Sequence, residues 1–190
     1  MAHTSDNHAR WPHDDVFHGY WVDPGTLLAG EHPELHTEGP EGISMRLSLL
    51  AAAGILTTVD LASRGRSDEA YGATWIEMGR RLGREHRRLA RPIDERGVIG
   101  GQGFVELVGE IDAELAAGRP VYVHCAHGVD RTGTVVGVWL RRSKGLDFEE
   151  TMQRIANARA GTQKASWACP EPQEFRGVIK RAGQTLVRRP

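Results

Sequence analysis

Cysteine is scarce in this chain: Cys125 and Cys169 are the only two in 190 residues. That excludes a disulfide-stapled scaffold and points to a reducing compartment. Lysine is nearly as scarce. Lys+Arg totals 24, yet only Lys144, Lys164 and Lys180 are lysine, a skew that speaks of codon composition before function. Charge of one sign is missing too. The formal net charge is −1, so there is no global basic signal for nucleic acid. No apolar run is long enough to span a membrane, and the opening MAHTSDNHARWPHDD lacks the apolar core of a signal peptide. The expected setting is cytoplasmic, without a membrane partner. Repeats and low-complexity segments are absent.

What is present suits a folded domain. Hydrophobic residues make up 39% and charged residues 26%. Residues 1–15 are polar, with His3, His8 and His13, and read as a loosely attached tail; 16–190 reads as a single domain. Trp21 to Gly30 reads as a turn followed by a short strand. Ile43, Leu47, Leu50 and Ala51 recur at helical spacing, with Gly54 as a stop. Ile55 to Leu61 reads as a buried strand, and Tyr71, Trp75, Met78 and Leu82 as a helix face. Arg80, Arg81, Arg84, Arg87, Arg88 and Arg91 follow, either a solvated face or a basic patch turned to a substrate. Leu89 to Gly97 is a short strand ending in a loop. Phe104, Leu107, Val108, Ile111 and Leu115 define an amphipathic helix closed by Gly118 and Pro120. Val121–Val123 is a strand, and Val135 to Leu140 is a helix with almost no polar break. Asp147 and Glu150 have capping-box spacing. Pro170 and Glu171 open a last helix, with Phe175, Val178, Ile179, Ala182 and Leu186 inward. Strands alternating with helices predict an α/β fold: a central, mostly parallel sheet of about four or five strands flanked by helices.

Chemistry concentrates in His124-Cys125-Ala126-His127-Gly128-Val129-Asp130-Arg131-Thr132-Gly133. A cysteine attacks as its thiolate, and free cysteine is mostly protonated at neutral pH. A glycine-containing loop that runs into a helix N-terminus aims several backbone N–H groups at one point. Those groups suit both a thiolate and a phosphate. Arg131, at the far end, can fork onto two phosphate oxygens.

Strand, His-Cys-x5-Arg-Thr loop and buried helix, in that order, resemble the phosphate-binding loop of the cysteine-dependent protein tyrosine and dual-specificity phosphatases. Leu28-Ala29-Gly30-Glu31-His32-Pro33 resembles an early strand motif of some members. Pro92-Ile93-Asp94-Glu95-Arg96-Gly97 resembles their general-acid loop, and Ala168-Cys169-Pro170-Glu171-Pro172-Gln173 a late proline-glutamine motif. The resemblance implies that Cys125 forms a phosphocysteine intermediate. The N–H groups from Ala126 to Arg131, across His127, Gly128, Val129 and Asp130, then hold the phosphate with the Arg131 guanidinium. Asp94 protonates the leaving oxygen, and Thr132 helps the thiolate depart. His124 orients the loop. No metal or cofactor is called for.

Each assignment has a rival. Asp130, inside the loop, is a second candidate acid or a loop brace. Gln173 positions the hydrolytic water or is a helix-surface residue, and Glu69 is a candidate partner for Arg131. Asp60 reads as a structural hydrogen-bonding residue. Cys169 reads as a packing residue, with oxidative pairing to Cys125 as the alternative. The expected substrate is a phosphoprotein. Inositol phosphates or phosphoinositides and RNA 5′-phosphates are the alternatives, since the loop also resembles that of RNA 5′-triphosphatases. It carries no lysine, which disfavours the inositol class. Outside phosphatase chemistry stand a phosphate-binding pseudoenzyme and a thiol-dependent arsenate reductase.

Overall fold

The computed structural model describes residues 10–37, 39–62, 68–94 and 101–183. Of the expectations above, residues 1–9, the 95–97 part of the acid loop, Leu186 and the side chain of Glu69 lie outside the described residues.

Five strands pair into one sheet. β1 (Gly19–Asp23) and β2 (Leu27–Glu31) form an antiparallel hairpin. β2 then runs parallel to β5 (Val121–Cys125), β5 to β3 (Thr57–Asp60), and β3 to β4 (Arg87–Ala90), giving the order β1-β2-β5-β3-β4. The mostly parallel sheet is as expected. β1 is the addition, because Tyr20 and Val22 alternate inward over too few residues to stand out before the Asp23-Pro24-Gly25 turn.

Helices cover both faces. α1 (Gly39–Ala52) and α2 (Asp68–Arg81) pack Leu47, Leu50, Tyr71 and Trp75 on one side, where Leu28 and Tyr122 point. α3 (Gly101–Ala116), α4 (Asp130–Ser143), α5 (Phe148–Arg159) and α6 (Gln173–Ala182) cover the other, where Leu27, Ala29, Val121 and Val123 point. The two-residue period of a strand therefore sorts the end of β5: Tyr122 and His124 go one way, Val123 and Cys125 the other.

α4 is the central helix of its layer. Val135, Val136, Val138, Trp139 and Leu140 are all buried, and it packs on α3, α5 and α6. Each such side chain contributes roughly 1.5–3 kcal/mol. The Asp147–Glu150 capping box forms at the start of α5, with both reciprocal bonds at 2.8 Å. α6 begins later than expected, at Gln173 rather than at Pro170 and Glu171. Glu171 precedes Pro172, which disfavours helical backbone there, and its N–H is taken by the Asp130 carboxylate at 3.0 Å.

One further expectation changes, and one pair of alternatives is decided. Residues 10–15 are docked, not loose: Trp11 is buried among Phe17, Leu28 and Leu47, and the buried Asp14 accepts from the Gly19 N–H. Of the two readings of the arginine run, the patch turned to a substrate is not the one seen: Arg84 donates to the Ala51 carbonyl at 3.1 Å, and the others pair with carboxylates. Arg80 and Arg81 sit on Glu77, Arg87 on Glu114, Arg88 on Asp60 and Arg91 on Glu110.

Candidate active site

Cys125 is the last residue of β5 and is buried. The parallel register sets Glu31 of β2 beside it, and Asp60 of β3 beside His124. The carboxyl ends of the strands thus converge here, where open α/β sheets hold their ligands. Gly128 sits in the left-handed region at φ 71°, and a Cβ there would come within 2.4 Å of the Gly30 carbonyl carbon. Only a glycine lets the loop lie directly on β2. The His32 N–H donates to the Ala126 carbonyl at 3.0 Å, closing that seam.

α4 starts at Asp130. Its N-cap, Val129, offers no side-chain cap, so the first-turn N–H groups are left for whatever enters the cleft. That cleft is about 650 Å³ and has Cys125, His127, Val129, Asp130 and Arg131 along one side. Arg131 is buried. Its Nη1 donates to the carbonyls of Ile93 (3.0 Å) and Leu61 (3.4 Å), the residues following β4 and β3. Thr132 is fully buried, and its hydroxyl has no hydrogen-bond partner among the described residues. A buried hydroxyl left so costs about 1–3 kcal/mol. Cys125, Arg131 and the loop are brought together as the sequence led one to expect.

Beneath the cysteine lies a cage of polar groups. His124 Nε2 and the Tyr71 hydroxyl are 3.0 Å apart, and His124 Nδ1 lies 3.8 Å from Asp60 Oδ1. Burial pushes the His124 pKa down to about 3, so the imidazole is neutral at physiological pH and unsuited to give a proton. Burial raises the Asp60 carboxyl. Its contacts with His32, Arg88 and the Ala62 N–H more than reverse this and hold it well below the usual carboxylate range. His32, Asp60 and His124 place three potential metal ligands within 4.8 Å of one another. Arg88 already holds that carboxylate at 2.6 Å, which disfavours a second cation. Asp60 is the structural hydrogen-bonding residue expected.

Asp94 is exposed and follows the buried Ile93, whose carbonyl is on Arg131; its backbone is therefore next to the arginine. Asp130 lines the cleft, with Oδ1 accepting from the Glu171 N–H. That bond makes it a brace between loop and late motif. Gln173 is exposed at the start of α6, two residues beyond Glu171, which lines the cleft. Cys169 is a packed thiol. It donates to the Val129 carbonyl at 3.2 Å, and burial pushes it up to about 11.

The far wall of the cleft escaped the sequence reading. Ser166 and Trp167, between α5 and α6, line it beside Ala168, the first residue of the late motif. Lys164 Nζ straps this segment to the loop, donating to the His127 carbonyl at 2.8 Å and to Glu31 Oε2 at 2.7 Å. The buried Arg159 donates to the carbonyls of Trp167 and Lys164, both at 2.7 Å. The available signal was the rarity of lysine: one of only three sits in this connection.

Comparison with known proteins gives a consistent family. A family model described as "Polymorphic toxin system, DSP-PTPase phosphatase" matches residues 37–144. Among solved structures, the chain is similar to Tk-PTP in its active form, at 22% identity and a TM-score of 0.67, over 87% of this chain and 96% of that one. It is also similar to PTPMT1 in complex with PI(5)P (21% identity, TM-score 0.64, 89% and 96%). Human DUSP28 matches at 18% identity and a TM-score of 0.62, over 90% of this chain and 95% of its own.

Proposed function

Since the chain belongs to the DSP-PTPase phosphatases, within the cysteine-dependent protein tyrosine and dual-specificity superfamily, and is a hydrolase of that kind, we propose that it cleaves phosphomonoesters of proteins through a phosphocysteine intermediate. One observation carries the reading: Cys125 and the buried Arg131 line one cleft at an uncapped helix N-terminus.

In the first step the Cys125 thiolate attacks phosphorus in line. An S–P bond forms, the bond to the leaving oxygen breaks, and the Asp94 carboxyl gives that oxygen its proton. The first-turn N–H groups and the Arg131 guanidinium hold the three equatorial oxygens, where negative charge spreads in the transition state. In the second step water attacks phosphorus and gives a proton to the Asp94 carboxylate. The S–P bond breaks, and inorganic phosphate leaves. The Thr132 hydroxyl donates to the departing sulfur. Support for that role is its burial beside Arg131 without another partner. His124 fixes the loop from beneath, and Asp130 braces its outer edge.

The test is turnover of phosphotyrosine and phosphothreonine peptides, inositol phosphates and 5′-triphosphorylated RNA by wild type, Cys125→Ser and Asp94→Asn. Cys125→Ser should abolish turnover. Asp94→Asn should lower kcat by about 10²–10⁴ and remove the alkaline limb of the pH profile. An intact alkaline limb in Asp94→Asn would transfer the acid role elsewhere, with Asp130 next in line. A preference for inositol phosphates or RNA would replace the protein substrate. The matching family is described as belonging to a polymorphic toxin system, which supports a toxic activity; slower growth of a bacterial host carrying wild type than of one carrying Cys125→Ser reads that directly.

A further inference from the structure

We propose that Trp167 is the specificity determinant of this site, a stacking face that selects phosphate carried on an aromatic ring, as in a phosphotyrosine peptide. The proposal rests on the hydrolase reading above and names the group that reading leaves open.

Four large hydrophobic side chains stand exposed among the described residues: Met45, Ile76, Leu82 and Trp167. Of these, Trp167 alone lines the cleft that holds Cys125 and Arg131. Trp167 is 49% exposed although its backbone is bonded at both its N–H and its carbonyl. On one side its carbonyl accepts from the buried Arg159 at 2.7 Å. On the other, two residues on, Cys169 is packed against Gly133, where an added Cβ would lie 2.5 Å from its sulfur. Its own N–H donates to the Lys164 carbonyl at 3.1 Å. The frame therefore presents the indole without needing it for packing.

The surroundings fix its orientation. Lys164 Nζ lies 5.3 Å from the indole centroid while bonded to the loop and to Glu31. A cation over one ring face anchors it there. The His127 ring, on the loop itself, lies 6.4 Å away at 53°. Partial burial, followed by the nearby Lys164 ammonium, lowers the His127 pKa, so this second ring is neutral at pH 7. Two aromatic rings thus flank the space above the phosphate cradle, one from the loop and one from the opposite wall. A phenyl ester carries its ring directly on the phosphate oxygen, inside the cleft that both rings line. An alkyl phosphate has no π-face to offer.

The experiment compares phosphotyrosine and phosphothreonine peptides of the same flanking sequence in wild type, Trp167→Ala and Trp167→Phe. Trp167→Ala should raise KM for the phosphotyrosine peptide about tenfold and leave kcat within about twofold. KM for the phosphothreonine peptide should rise by less, so the preference for the aromatic ester collapses. Trp167→Phe, which keeps a π-face, should restore most of it. Equal losses on both peptides, a loss confined to kcat, or no recovery in Trp167→Phe would overturn the assignment to Trp167. Turnover that does not depend on Cys125 would instead bring down the phosphocysteine reading, and this proposal with it.

Discussion

Single side chains carry the sharpest test of the chemistry. Thr132 buries a hydroxyl with no partner among the described residues. A structural hydroxyl would be bonded, and its removal would cost stability. Thr132→Val should leave stability unchanged or raise it by up to about 1 kcal/mol, because an unsatisfied group is lost. Its kcat should nevertheless fall, with phosphoenzyme building up in a quenched time course as the sulfur leaves more slowly. A stability loss with unchanged kcat would make Thr132 a packing residue. At this scale the sequence was most informative where residues are neighbours along the chain. Cys125 and Arg131 stand in one loop at a fixed spacing, so their meeting needed no tertiary knowledge. The cage of Tyr71, Asp60 and His32 around His124 comes from three separate elements, and no local pattern announces it.

Elements show where the site gets its shape. Gly133, in the first turn of α4, leaves room for the Cys169 sulfur. Through it the α5–α6 connection reaches both the Val129 carbonyl and Asp130. Gly133→Ala should destabilise the protein by about 1–3 kcal/mol in urea unfolding, since neither the helix backbone nor the packed thiol can yield. Adding Cys169→Ala to it should recover part of the loss, whereas strict additivity of the two would deny the contact. Helices with sustained apolar periodicity, α3 and α4 above all, were legible from sequence because burial alone writes that pattern. β1 was not, being five residues with two inward. The late start of α6 was only half legible: Pro172 is in the sequence, but the Glu171 N–H donating to Asp130 is set by tertiary contact.

For the molecule as a whole, the consequence of burying imidazoles is acid sensitivity. His124 is held neutral, with its pKa near 3, and burial lowers His18 and His86 as well. Below about pH 6.5 the unfolded chain protonates these rings and the folded chain does not, so acid favours unfolding. Asp60, held low, loses its contribution only below the ordinary carboxylate range near pH 4. The histidines therefore dominate between pH 7 and 5. His124 alone should contribute about 2 kcal/mol of loss by pH 5. Thermal unfolding should show Tm falling by at least about 4 °C across that interval. A flat profile would mean that these rings are charged in the folded protein. Turnover assayed on the acid side of neutrality is therefore read in a fold that is already yielding.

The docked segment before β1 has one more consequence. The Asp14 carboxylate accepts from the Gln163 N–H at 2.6 Å, and Arg10 reaches the Gly161 carbonyl. Both partners belong to the stretch of chain that leads to Lys164 and Trp167. A fusion partner joined upstream of Arg10 is therefore coupled to the Trp167 wall and, through Lys164, to the phosphate loop as well. Strain or crowding introduced at that end is carried to both walls of the cleft, through Gly161 and Gln163 to the Trp167 side and through Lys164 to the loop.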